Sequence, residues 1–206
     1  MDNLQKTKTM QSILVTSTRP HTNGNSVAAD LAVLITQSGK KVALIDADLH
    51  HPVIHKVFEL PNRVGLLNTL LNRRSPISVM HSLMNGKLSV LTSGKVPNSQ
   101  VDLLSSSKMT NFLQSIKLKF DKVIIQGPSF FYTETFTLAA QADGVILIIN
   151  PGYAKSETSR IIMERLQRTG TTIIGIVMRN QPKHQSSQSA FINRLLSYDK
   201  RIRISP

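Results

Sequence analysis

Short apolar runs rich in β-branched residues recur along this chain, separated by stretches long enough for a helix. That alternation narrows the folds open to it more than any other feature. Ser12–Ser17 (SILVTS), Lys41–Ile45 (KVALI), Leu88–Thr92 (LSVLT), Lys122–Ile125 (KVII), Gly144–Ile149 (GVILII) and Thr172–Met178 (TIIGIVM) predict strands. A strand with one face in water alternates apolar and polar residues, whereas an unbroken apolar run belongs to a parallel sheet covered on both faces. Between the first two runs Ala28, Leu31, Ala32 and Ile35 fall at helical spacing, and Gly39 supplies a stop. Ser107–Lys119, Lys155–Arg168 and Gln188–Ser197 predict further helices, and Asn85–Gln100 reads as loop around one strand. The expected class is α/β, a doubly wound and mostly parallel sheet in a three-layer sandwich with right-handed crossovers. No repeat or linker divides the 206 residues. One domain is expected over 12–206, ending in a basic C-terminal tail and preceded by a short polar extension, 1–11.

Charge adds a second constraint. Lys and Arg number 25 against 12 Asp and Glu, a net +13. Residues 155–206 alone hold ten basic side chains and three acidic ones. Such an excess suits an anionic partner (lipid head groups, nucleic acid or an acidic protein face) and equally suits a well-solvated helical surface. Cys is absent, which excludes disulfides, thiolate metal sites and a cysteine nucleophile, and fits a reducing compartment. The polar N-terminus lacks the apolar stretch of a signal peptide, and Val145–Ile149 is too short to cross a bilayer. A soluble cytoplasmic chain is expected.

In a parallel sheet, ligands bind beyond the carboxyl ends of the strands, and the first strand-to-helix turn is the natural phosphate site. Here that turn is Ser17–Ser26, STRPHTNGNS. Gripping a triphosphate calls for glycines that let backbone N–H groups crowd the phosphates, a lysine against the β- and γ-phosphates, and a hydroxyl for Mg²⁺. This turn has no lysine. At the end of the second predicted strand, Asp46 and Asp48 share one side of the backbone and can converge on one site.

Several fragments, taken in order, carry a family resemblance: ILVTS at 13–17, Pro20, AADLA at 28–32, SGKK at 38–41 and VALIDADLHHP at 42–52. LPNRVGLL (60–67), LTSG (91–94), Lys108–Gln114, FDKVIIQGP (120–128), ADGVILII (142–149) and GIVMRN (175–180) continue it. The chain resembles the bacterial tyrosine kinases of capsule and exopolysaccharide assembly, members of the deviant-Walker P-loop ATPases that also include partition and septum-site ATPases. The resemblance implies a P-loop NTPase-like fold. It implies a nucleotide site at Pro20, His21, Asn23, Gly24, Asn25, Ser26 and Asn180, with Mg²⁺ on Ser26 and Asp46. Asp46 and Asp48 would then serve Mg²⁺ ligation and activation of an acceptor hydroxyl. On the residues alone, both aspartates equally suit capping of the helix that follows the strand.

The departures bear directly on that chemistry. With the flanks aligned without a gap, His21 and Asn23 stand where the family has glycines, Gly24 where it has lysine, and Asn25 where it has the first hydroxyl. A register with one residue inserted places Gly24-Asn25-Ser26 over Gly-Lys-Ser, and the lysine is lost there too. Gln126 replaces an aspartate that supports Mg²⁺, and a neutral amide brings no charge to a divalent cation. Phosphoryl transfer is mainly positioning and electrostatics, and losing one such contact typically removes about 3–4 kcal/mol. The expected protein is therefore a degenerate kinase with Asp46 and Asp48 vestigial and no resident cofactor. Where nucleotide binding survives, the ligand is MgATP or ADP. His50 and His51 replace a basic pair of the kinases, and no zinc site is expected around His50, His51 and His55.

Other family features are missing. Met1–Gln11 lacks the Glu- and Arg-bearing assembly helix, and Tyr198 stands alone where the kinases carry a tyrosine cluster. The resemblance implies as partner a membrane chain-length or export protein, or a related kinase subunit. It also implies peripheral attachment at the inner membrane face. Two alternatives stay open: an active ATP-dependent kinase with Arg19 or His21 lending charge to an atypical loop, and a partition-like relative that coats DNA or membrane.

Overall fold

The computed structural model describes residues 10–20, 25–71, 74–95, 103–149 and 157–178. Seven strands form one sheet: β1 (Ser12–Ser17), β2 (Val42–Asp46), β3 (His81–Leu83), β4 (Leu88–Leu91), β5 (Lys122–Gln126), β6 (Gly144–Ile149) and β7 (Ile173–Met178). Their order is β3-β4-β2-β5-β1-β6-β7. Every neighbouring pair is parallel except β3–β4, which is antiparallel. Around the sheet run α1 (Asn25–Gln37), α2 (Ile54–Val57), α3 (Leu66–Leu70), α4 (Pro76–Val79), α5 (Ser107–Lys117), α6 (Glu134–Gln141) and α7 (Glu157–Arg168).

The unbroken apolar runs of the inner strands are divided residue by residue between two cores, whereas the edge strand β7, expected to be buried on both faces, leaves Ile174, Ile176 and Met178 exposed. Leu14, Ala43, Ile45, Val123, Ile125, Val145 and Leu147 face one side, where α3, α5, α6 and α7 contribute Leu66, Met109, Leu138 and Ile162. Ile13, Val15, Val42, Leu44, Ile124 and Ile148 face the other, against Ala28, Ala29 and Ala32 of α1 and Ile54 of α2. This two-sided burial is the doubly wound, three-layer α/β arrangement that the runs predict.

Two of the quoted fragments, LPNRVGLL and LTSG, pack on each other. Leu66 and Leu67 donate backbone N–H bonds to the carbonyls of Thr92 and Ser93 at 2.8 and 3.0 Å. A Cβ on Gly65 would lie 2.1 Å from the Thr92 carbonyl oxygen. Gly94 has φ +82° and sits against Asn68 and Gly65, so glycine is required at both positions. At the amino ends of β1 and β6, Asp143 accepts from the Ser12 N–H at 2.8 Å and the Ser12 hydroxyl at 2.9 Å, and pairs with Lys117 at 2.9 Å. That cluster ties α5 and the start of β6 to the start of β1.

Boundaries follow the predictions closely. β1 and β6 coincide with theirs, and α1 takes in the helical stretch that Gly39, at φ +93°, follows. Strand β3 and the short helices α2, α3 and α4, together with α6, arise where no element was predicted. The predicted helix Gln188–Ser197, Tyr198 and the basic tail lie outside the described residues. Among the described residues no helix is long and apolar enough to cross a membrane.

Candidate active site at the carboxyl ends of the central strands

β1, β2 and β5 are adjacent in the sheet, so their carboxyl ends bring the first turn, the aspartates and Gln126 to one place. Asp46 and Gln126 are register partners on β2 and β5, and such partners on parallel strands point to the same face. Just beyond, the Ala47 N–H donates to the Gln126 carbonyl at 2.8 Å.

The Asp46 carboxyl is fully buried and surrounded by backbone donors. Its Oδ2 accepts from the N–H groups of Val53 and Ile54 at 3.0 Å each, and its Oδ1 from the Asp48 N–H at 3.3 Å. Asp46 therefore caps α2, a role open from the residues alone. Burial pushes its pKa up to about 7, the Asp48 charge adds to the rise, and the three N–H bonds only partly offset it. Asp48 is also raised, first by burial, while the His51 N–H and the two imidazoles pull it back. Its Oδ1 accepts from the N–H groups of His50 and His51 at 3.2 and 2.9 Å.

Gln126 is buried. Its Nε2 donates to the Gly127 carbonyl at 3.0 Å, while Oε1 has no partner among the described residues. Two histidines follow Asp48 in the loop after β2. His50 meets Glu134 at 2.5 Å and stacks on Tyr132, with ring centroids 3.5 Å apart and planes 9° from parallel. His51 lies tilted to the same tyrosine at 6.3 Å. The link joins the loop after β2 to the start of α6. Tyr132 and Glu134 were not singled out in the sequence, although FFYTET, directly after the β5 loop, is an unusual density of aromatics for a strand's carboxyl end. No group of three or more His, Cys, Asp or Glu side chains among the described residues is placed to hold a metal ion.

Of the residues named from the sequence, Asp46 and Asp48 come together. Pro20 is half-buried in the first turn, directly after Thr18 and Arg19. Asn25 and Ser26 open α1. His21, Asn23, Gly24 and Asn180 lie outside the described residues.

For a magnesium–triphosphate, the described residues are a poor match. The buried carboxylate already accepts three backbone N–H bonds, its raised pKa has no cation among its causes, and its strand neighbour is a neutral amide.

A mostly parallel sheet with this strand order, and a strand–turn–helix and an aspartate-ended strand at its centre, defines a P-loop ATPase fold. No protein-family model matches the sequence. The chain is 33% identical over 183 residues to tyrosine-protein kinase YwqD of Bacillus subtilis (strain 168), covering 88% of this chain and 77% of that protein. It belongs to the bacterial tyrosine-protein kinase family. Some relatives are far longer: the match to tyrosine-protein kinase ptk of Acinetobacter johnsonii spans 23% of that protein. The kinase domain of Escherichia coli tyrosine kinase ETK superimposes with a TM-score of 0.78 at 25% identity, over 88% of this chain and 71% of that one. The septum-site protein MinD of Pyrococcus horikoshii, complexed with Mg-ADP, shares the fold at a TM-score of 0.72 and 19% identity, over 88% of this chain and 76% of that one.

Proposed function

We propose that this chain is a non-catalytic member of its family, a pseudokinase that regulates or scaffolds the synthesis or export of capsular or extracellular polysaccharide. The observation that carries the reading is the Asp46–Gln126 pair. Where a kinase of this family places two carboxylates for Mg²⁺, this chain has one buried carboxyl held by backbone amides and one neutral amide. The first turn, Ser17–Ser26, supplies no lysine to offset triphosphate charge. Losing the cation and the lysine together removes the electrostatic stabilisation on which phosphoryl transfer depends.

A protein of this kind acts through contacts. The partner we propose is a membrane chain-length or export protein, or a catalytically intact kinase subunit, met at the cytoplasmic membrane face. The net charge of +13 favours acidic surface on that partner or anionic lipid beside it.

Isothermal titration with MgATP tests the reading, combined with a phosphotyrosine assay on the wild type and Asp46→Asn. No heat of binding and no phosphotyrosine are expected. Micromolar binding together with Asp46-dependent phosphotyrosine would instead establish an active kinase with an unorthodox phosphate loop.

A further inference from the structure

A cavity of about 500 Å³ opens between the first turn, the loop after β5 and helix α7. Its walls are aromatic. Phe130 is buried and packs on Phe136 of α6 with ring centroids 4.8 Å apart, while Phe131 stands 74% exposed at the rim. An aromatic ring left that open beside an apolar cavity marks a surface that receives something. The charged groups are cationic: Arg19 enters from the first turn and Arg165 from α7, Thr18 and Thr158 add hydroxyls, and no carboxylate among the described residues lines the space.

Arg165 is set up for a ligand by its neighbours. Glu157 and Glu164, the acids on its own helix, are both engaged by Arg160. Arg165 instead lies over the Phe136 ring at 5.3 Å and has no carboxylate partner among the described residues. A guanidinium resting over a ring keeps N–H donors for a planar or tetrahedral oxyanion.

We propose that this cavity binds a phosphotyrosine side chain of a partner protein, with the phenyl ring against Phe130 and Phe136 and the phosphate between Arg19 and Arg165. An aryl phosphate carries roughly −1.5 to −2 at neutral pH, which two arginines match. A triphosphate carries more charge than they neutralise. An acidic segment without a ring would leave the aromatic floor unfilled, and a second copy of this basic chain would bring like charge. The inference rests on the non-catalytic reading for the source of its ligand: a chain that no longer makes phosphotyrosine retains a place to read it.

Fluorescence anisotropy on the full chain tests it, using a short fluorescein-labelled peptide with one central phosphotyrosine. The same peptide with tyrosine or phosphoserine serves as the counter-probe. The phosphotyrosine peptide is expected to bind at least about tenfold tighter than either, with Arg165→Gln and Arg19→Gln each weakening it about tenfold. Both arginines are exposed, so unchanged melting midpoints will separate lost binding from lost fold. Equal affinity for phosphoserine, indifference to Arg165→Gln, or no binding at millimolar protein overturns the proposal. A MgATP titration on the same preparation keeps the two readings apart. Phosphotyrosine failing while MgATP also fails to bind sinks this inference alone, whereas MgATP binding sinks the non-catalytic reading.

Discussion

Asp46 on β2 and Gln126 on β5, the sheet's central strand, lie side by side, one a buried acid and the other a buried amide whose Oε1 has no partner among the described residues. With a second carboxylate at position 126, the pair would attract a divalent cation or repel itself. As it stands, it does neither strongly, and the raised Asp46 pKa, caused first by burial, is the electrostatic signature of an acid held away from water.

That signature predicts a pH dependence. With its folded pKa raised from 3.8 to about 7, Asp46 holds its proton in the folded state after the unfolded chain has lost it. Its contribution to stability is therefore fully present below about pH 4, falls as pH rises, and is gone above about pH 7. The swing is on the order of 4 kcal/mol. Asp46→Asn keeps an acceptor for the Val53 and Ile54 N–H groups without a charge. The variant should gain on the wild type between pH 5 and 8 in urea unfolding. A difference that does not change with pH would show that Asp46 is ionised in the folded protein throughout.

Asp143 predicts the opposite sign. Burial alone would raise its carboxyl, but the Ser12 N–H and hydroxyl and the Lys117 ammonium outweigh that and hold it below the ordinary carboxylate range. Such a group stabilises the fold above the unfolded pKa and loses its contribution as pH falls through the lowered folded value. Asp143→Asn should lose about 2 kcal/mol at pH 7, because the Ser12 donors and Lys117 are left with a weaker partner. The deficit should shrink in acid, where the wild-type carboxyl is itself protonated. Chemical denaturation at pH 7 and pH 3 measures both values.

Gly65 and Thr92 predict a steric effect with no pH dependence. The Cβ of Gly65→Ala would lie 2.1 Å from a backbone oxygen whose partner, the Leu66 N–H, anchors α3. Neither backbone can withdraw without breaking that bond, so a loss of about 3 kcal/mol is expected. Gly39→Ala is the contrasting case. There the added methyl meets nothing within 4 Å, and the effect comes only from φ +93°. Thermal melts of the two variants should rank Gly65→Ala as the more damaging, and the reverse order would contradict the packing described.

The sheet was legible because its inner strands are buried on both sides, and two-sided burial writes an unbroken apolar run; the edge strand β7 carries such a run although Ile174, Ile176 and Met178 are exposed. Strand β3 leaves no such trace. His81–Leu83 is only partly buried and is held by antiparallel pairing to β4, which depends on where β4 ends up. Helices of four or five residues, such as α2 and α3, are shorter than the window over which helical periodicity registers. At the site, the sequence identifies Asp46, Asp48 and Gln126 by order and type. It carries no sign that His50 meets Glu134 across 84 residues, because that contact is a product of strand order. The altered pKa of Asp46 is equally invisible, since burial and not residue type raises it.

Gln126→Asp is the most direct probe of what the site has lost. The substitution places a second carboxylate beside Asp46 on a neighbouring strand, facing the same buried space. Without a cation the two carboxylates repel, and one or both must take up a proton or destabilise the fold. In EDTA at pH 8 the variant should be less stable than the wild type by about 2 kcal/mol. If the missing carboxylate is what prevents Mg²⁺ from binding, millimolar Mg²⁺ should restore roughly 2 kcal/mol to the variant, because a ligand bound only by the folded state stabilises it by mass action. The wild-type melting midpoint should not move with Mg²⁺. A wild type that responds to Mg²⁺ as the variant does would mean that one carboxylate and an amide already suffice for the metal, and the electrostatic argument for a non-catalytic protein would lose its basis.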